Sequence, residues 1–377
     1  MIYLDNHNAT PPEAQVLEAM RMVWERGNAP IDAQYPWGRA NKQAVEQARE
    51  KVEATLHASS TGHVAFTRGN AHAHRELFEQ LYRKRIEQEG KRGIVLSCRE
   101  DATVMDEALR LKRRGVEVRF VPLDANGAVD ATAFAQAIDG ETAWASIVSV
   151  DAQSGVIMPV DELASVCKLH GVPLHTDATY AIGKLPFDTE TIEADFVTFE
   201  GRTLFVPGNI GALFVRNEAR AWFDAASFER QTPYADAASA VALGKGCELV
   251  SDMMDFERAE IKELRDDLEE ALRDIDGVWV LTPANVRIPH TVAFAVEGVA
   301  SESAQRLLSK EGWMLLSGAD HQRRNPYQTP LIDALGLPKS LRHTVLSVTL
   351  SHRHTDEDIE ALASVIKKTI LPLRYAA

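Results

Sequence analysis

Three kinds of side chain in this sequence have the chemistry to act on another molecule: histidines with carboxylates, cysteines, and lysines. The chain has 12 histidines. His72 and His74 stand two apart at the start of a predicted helix, and an i, i+2 pair points to different faces. His175, Asp177, Asp101 and His321 could converge with one of them. No HExxH-like spacing supports a metal centre, however, and no metal is expected. Cys98 lies in a predicted strand, Cys167 in a helix and Cys247 where another helix begins, so all three read as small buried side chains. Lys184 and Lys245 read as structural or peripheral amines.

The elements that must position these groups alternate between strand and helix. Gly93-Ile-Val-Leu-Ser97, Val116 to Val121, Trp144 to Val150 and Val172 to Thr176 are apolar runs of strand length. Between them lie helical patterns over Ala102 to Arg114, Ala131 to Ile138 and Asp161 to His170. That rhythm predicts an α/β fold with a mostly parallel sheet covered by helices on both faces. Ligands of such sheets sit at the carboxyl ends of strands, which places Asp101, Ala152 and Asp177 on one cleft. The pattern changes near Ser251. A charged helix over Asp255 to Ile275, strands at 278–281, 291–296 and 344–350, and a closing helix over Thr355 to Ile370 predict a smaller α+β unit. The expected division is a large domain of residues 13–250 and a small one of residues 1–12 and 251–377.

With 377 residues the chain can bury a large core. No run of about 18 apolar residues predicts a membrane helix. The opening Met1-Ile-Tyr-Leu-Asp-Asn-His7 has no basic region of a signal peptide. Three scattered cysteines fit a reducing cytoplasm. A net charge of −14 disfavours nucleic acid and anionic membranes as partners.

The block His175-Thr-Asp-Ala-Thr-Tyr-Ala-Ile-Gly-Lys-Leu-Pro-Phe-Asp188, followed by Glu200-Gly-Arg-Thr203 and Gly211-Ala-Leu-Phe-Val-Arg216, resembles the heart of the cysteine desulfurases. Tyr3-Leu-Asp-Asn-His-Asn-Ala-Thr-Pro11, Phe66-Thr-Arg-Gly-Asn-Ala-His-Ala-His74 and Arg230-Gln-Thr-Pro233 match further family elements in order. The resemblance spans nearly the whole chain. It implies the class V aminotransferase architecture of the type I pyridoxal phosphate (PLP) transferase fold, with a homodimer and cavities at the subunit interface.

The resemblance also assigns positions. Asp177 retains the family's partner for the PLP ring nitrogen, which keeps that ring an electron sink. The Schiff-base lysine is replaced by Thr203, and the nucleophilic cysteine falls at His321, give or take one residue. Ala152 and Tyr180 take the places of the Asn and Gln that bond the cofactor's phenolic oxygen, and Asp101 that of the stacking His. In the phosphate cradle Ala71 replaces a Thr, with His72 beside it, Glu200 and Arg202 replace a Ser and a His, and Thr232 is kept. Ser347 stands where an arginine would clamp a substrate carboxylate.

So many departures in one pocket point to a cysteine desulfurase-like protein that has lost PLP-dependent sulfur transfer. No covalently held cofactor is expected, and PLP is disfavoured. The expected role is that of a binding or regulatory paralogue, a homodimer that pairs with a desulfurase or an iron–sulfur scaffold protein. Two alternatives stay open: an enzyme that uses the remodelled pocket of Asp101, Asp177, Tyr180, Arg202 and His321, or one that binds PLP noncovalently.

Overall fold

A computed structural model describes residues 1–27, 29–224, 228 and 236–375. The chain opens with a short strand, β1 (Ile2–Tyr3), and two helices, α1 (Ala14–Glu25) and α2 (Pro36–Thr55). There follow β2 (Gly62–Thr67), α3 (Asn70–Leu81), β3 (Gly93–Ser97), α4 (Ala102–Arg113), β4 (Glu117–Val121), α5 (Ala131–Ala137), β5 (Thr142–Val148), α6 (Val160–Leu169), β6 (Leu174–Asp177), β7 (Phe196–Glu200) and β8 (Gly211–Arg216). These strands form one sheet in the order β2-β8-β7-β6-β5-β3-β4. The ladders from β7 to β4 are parallel, while β8 pairs antiparallel with both β2 and β7. Helices cover both faces, so β3 and β5 are buried along their whole length. That is why they read as unbroken apolar runs in the sequence.

The second core belongs to β9 (Val278–Val280), β10 (Thr291–Val296), β12 (Leu316–Ser317) and β13 (Val345–Thr349), joined antiparallel in the order β12-β13-β10-β9. β1 returns to this part of the molecule by pairing with β11 (Trp313–Met314).

One element departs from the sequence expectation. In place of a helix beginning at Asp255, a single 37-residue helix, α7 (Ala237–Arg273), runs through. Gly244 and Gly246 suggest a break, but they serve close packing instead. A Cβ at Gly244 would stand 2.8 Å from the Ala48 backbone on α2, and one at Gly246 would stand 2.5 Å from the carbonyl oxygen of Leu204. The two halves of α7 have different duties. Ala240, Leu243 and Cys247 join the large core, while Ile261, Leu264, Leu268 and Leu272 join the small one. Burying each of those leucines contributes roughly 1.5–3 kcal/mol, more than a helical glycine costs.

The remaining helices are α8 (Ser301–Lys310), α9 (Gly318–Arg324), α10 (Leu331–Ala334) and α11 (Asp356–Val365). No helix among the described residues is long and apolar enough to cross a membrane.

Candidate functional site

A cavity of about 280 Å³ opens where the carboxyl ends of β3, β5, β6 and β7 meet the start of α3 and the segment around α9. Asp101, Ala152, Tyr180, Glu200, Arg202, Ala71 and His321 all line it. The sequence reading brought these residues together, and the fold does the same.

Glu200 ends β7, and its side chain reaches the N-terminus of α3. There the backbone N–H of Asn70 donates to Glu200 Oε2 at 3.3 Å. Gly69, the residue before α3, holds φ at +76°, a conformation that a side chain would strain. Glu200 also pairs with Arg202. Burial pushes the Glu200 carboxyl upward, and Arg202 offsets part of that rise. Arg202 Nη2 donates to the Tyr180 hydroxyl at 3.5 Å, and Tyr180 packs edge-on against the ring of His7 at 4.9 Å.

Asp101 is the N-cap of α4. Its Oδ1 accepts from the backbone N–H of Thr103 at 2.9 Å and from its hydroxyl at 2.7 Å. Burial works against ionisation of Asp101, but His74 and Thr103 outweigh it and hold the carboxyl low. His321 donates through its Nε2–H to Gln328 Oε1 at 2.6 Å. Burial first, and Arg99 second, lower His321 to about 4, so its imidazole is neutral near pH 7.

Asp177 is fully buried behind this surface and does not line the cavity. Its Oδ2 accepts from Asn70 Nδ2 at 2.9 Å, and its Oδ1 from the Thr179 N–H at 2.9 Å. Burial, and then the charge of Asp101, push it up to about 7. His74, Asp101 and Asp177 each bring one donor atom within 4.8 Å of the others. Both ring nitrogens of His74 are taken by the hydroxyls of Thr103 and Thr198; Thr103 in turn bonds Asp101, whereas Asp177 is bonded to Asn70 and Thr179. His175 is tied to Ser146 and shares the Thr198 hydroxyl with His74.

Other expected site residues lie elsewhere. Thr203 is buried and donates to the carbonyl of Thr179 at 2.9 Å; it lines a separate cavity of about 30 Å³ together with Lys184. Lys184 is buried there, and burial lowers it to about 8. His72 stacks on Phe228 with ring centroids 5.3 Å apart and is not in the cavity wall. Ser347 donates to the carbonyl of Gln153 at 3.0 Å beneath the site. Thr232 lies outside the described residues.

Several lining residues were not foreseen: His7, Asn70, Arg99, Arg324, Asn325 and Gln328. The polar run that follows His321 was the available signal for the last three. Asn70 carried no signal, since its partner Asp177 lies 107 residues away.

Residues 2–362 match the family model described as aminotransferase class-V. A cysteine desulfurase of Sinorhizobium fredii is 30% identical over 379 residues, covering 99% of this chain and 97% of the relative. The cysteine desulfurase IscS of Methylococcus capsulatus is 28% identical, covering 99% and 93%. Among solved structures, a NifS-like protein superposes with a TM-score of 0.87 at 21% identity, covering 98% of this chain and 99% of that one. The apo structure of a cysteine desulfurase from Thermococcus onnurineus superposes with a TM-score of 0.83 at 20% identity, covering 97% and 94%.

These likenesses correct the expectation that disfavours PLP. A match along almost the entire chain makes PLP, the cofactor that the resemblance attaches to this family, the expected one here. The donor set fits such a molecule. Arg68, Arg202 and the N-terminus of α3 face the cavity as partners for a phosphate, and Tyr180 offers a hydroxyl to a ring, with Asp177 held behind the wall by Asn70. Among the described residues, no lysine and no cysteine lines the cavity.

Proposed function

We propose, for a chain that belongs to the class V aminotransferase family and is cysteine desulfurase-like, that its cleft binds PLP without running sulfur transfer from cysteine. It serves instead as a binding or regulatory paralogue in sulfur or iron–sulfur metabolism. Bound PLP supplies an electron sink. The protein's own groups supply an anion seat at α3 and polar contacts around a ring.

The observation that carries this reading is the state of two positions. Desulfuration needs an amine to tether the cofactor and a thiolate to take the sulfur. Thr203 offers neither amine nor access, because its hydroxyl is spent on the carbonyl of Thr179. His321 offers a neutral imidazole held by Gln328. Cys98, Cys167 and Cys247 do not substitute, since burial raises all three thiols and favours the unreactive protonated form.

The decisive experiment incubates purified protein with PLP and L-cysteine and measures sulfide and alanine. No release above PLP alone is expected; multiple turnovers per protomer refute the reading. A homodimer acting in the cytoplasm beside a desulfurase or an iron–sulfur scaffold protein completes the proposal. Support for self-association comes from Trp24, Tyr35 and Trp37, which stand more than half exposed on or beside α1 and α2.

A further inference from the structure

The first turn of α3 has backbone N–H groups without intrahelical acceptors, and Gly69 has no side chain to cap them. The acceptor comes from the far side of the cavity. Glu200 Oε2 takes the Asn70 N–H, and the same oxygen lies 3.1 Å from where a Cβ on Gly69 would stand. The other carboxylate oxygen, Oε1, pairs with Arg202. Helix terminus and guanidinium therefore form a positive seat in the cavity wall, and a carboxylate of the protein sits in it. Arg68 stands in the same wall.

We propose that Glu200 is a resident anion guarding an oxyanion seat: the phosphate of PLP, or a free tetrahedral oxyanion, enters by displacing the Glu200 carboxylate from Asn70 and Arg202. This rests on the reading that the cleft binds PLP. A phosphate carries more charge and more acceptor oxygens than a carboxylate, so it can hold both partners once Glu200 has moved. The competition costs affinity that a neutral residue at 200 would restore.

The competition depends on pH. Facing Glu200 are Arg202 in the following turn, Asp101 at the start of α4, Asp177 at the end of β6, Tyr180 just beyond it, and His74 on α3. Burial and the two acids favour protonation of Glu200, against Arg202 and the Asn70 N–H. Falling pH neutralises the guard and opens the seat.

Sulfate is the suitable probe, because it stays doubly charged between about pH 5 and pH 8 and so does not itself titrate with the carboxyl. Calorimetric titrations of the full-length protein would compare sulfate, PLP and pyridoxal on wild type, Glu200→Gln and Glu200→Ser. We expect sulfate and PLP to bind roughly tenfold tighter to both variants at pH 8. Pyridoxal, which lacks the phosphate, should be unchanged. Wild-type affinity for sulfate should rise as pH falls, with a flatter profile in Glu200→Gln. Arg202→Ala should bind sulfate more weakly than wild type. Unchanged sulfate and PLP affinities in both Glu200 variants overturn the inference, as does an equal gain for pyridoxal. Sulfide release by the wild type would refute the functional reading while leaving these binding comparisons standing.

Discussion

Asn70 donates through Nδ2 to Asp177 Oδ2 at 2.9 Å, so a residue of the cavity wall holds a carboxylate that the cavity does not reach. The same amide donates to the Thr179 hydroxyl at 2.7 Å. Asn70 Oδ1 is buried without a partner among the described residues. Asn70 thus makes the floor of the site one hydrogen-bonded layer thicker.

Replacing Asn70 by Ala would remove a donor to a buried acid. A hydrogen bond to a charged group contributes about 1.5–3 kcal/mol. We expect Asn70→Ala to lose stability within that range at pH 8, to lose less at pH 5, and to raise the Asp177 carboxyl further. Urea unfolding at the two pH values and carbon NMR of the carboxyl would check both effects.

The pH dependence of Asp177 follows from its sign. Its folded value, about 7, lies above the unfolded value of about 3.9. The folded state therefore favours the protonated acid. That contribution is complete below about pH 4 and is lost as pH rises through about 7. Asp177→Asn, neutral at every pH, should be more stable than wild type at pH 8 relative to their difference at pH 5. Paired denaturation curves at each pH provide the measurement.

Arg99 and Asp151 form a buried, two-point ion pair at 2.8 Å and 3.1 Å beneath Ala152. Arg99 also donates to the carbonyl of Thr329 and to Gln153, tying the α9–α10 segment to the large core. Removing either partner strands a buried charge, at a cost of about 3–5 kcal/mol. Arg99→Met and Asp151→Leu should each fall in that range, and the double substitution should cost less than their sum. A double-mutant cycle in urea tests the coupling.

Gly244 meets the Ala48 backbone where α7 crosses α2. In an exposed helix, Gly to Ala would stabilise by up to about 1 kcal/mol. Here the added methyl meets backbone that cannot rotate away, so Gly244→Ala should destabilise by about 1–3 kcal/mol. Thermal unfolding would decide the sign.

The parts of the fold that were legible in the sequence are those whose burial is local. Thr291–Val296 reads as a strand because each of its six residues is buried. α7 was less legible, because Gly244 and Gly246 look like a break until Ala48 and Leu204 are in place. The site divides in the same way. Asp101 and Ala152 follow strands whose ends can be read, and Glu200 and Arg202 were placed by the family resemblance, whereas Asn70 and Arg99 acquire meaning from Asp177 and Asp151, which no local pattern connects to them. Thr203 was legible by position but not by orientation: its side-chain hydroxyl donates to the carbonyl of Thr179, and the residue lines the small Lys184 cavity.

At about 1.5 Å per residue, α7 spans on the order of 55 Å. It lies on α1 and α2 at one end and on β9 and α11 at the other. It is therefore a strut: a swing of the small sheet cannot be absorbed at a joint within it, and must travel as a lever stroke to the helices that brace the large sheet.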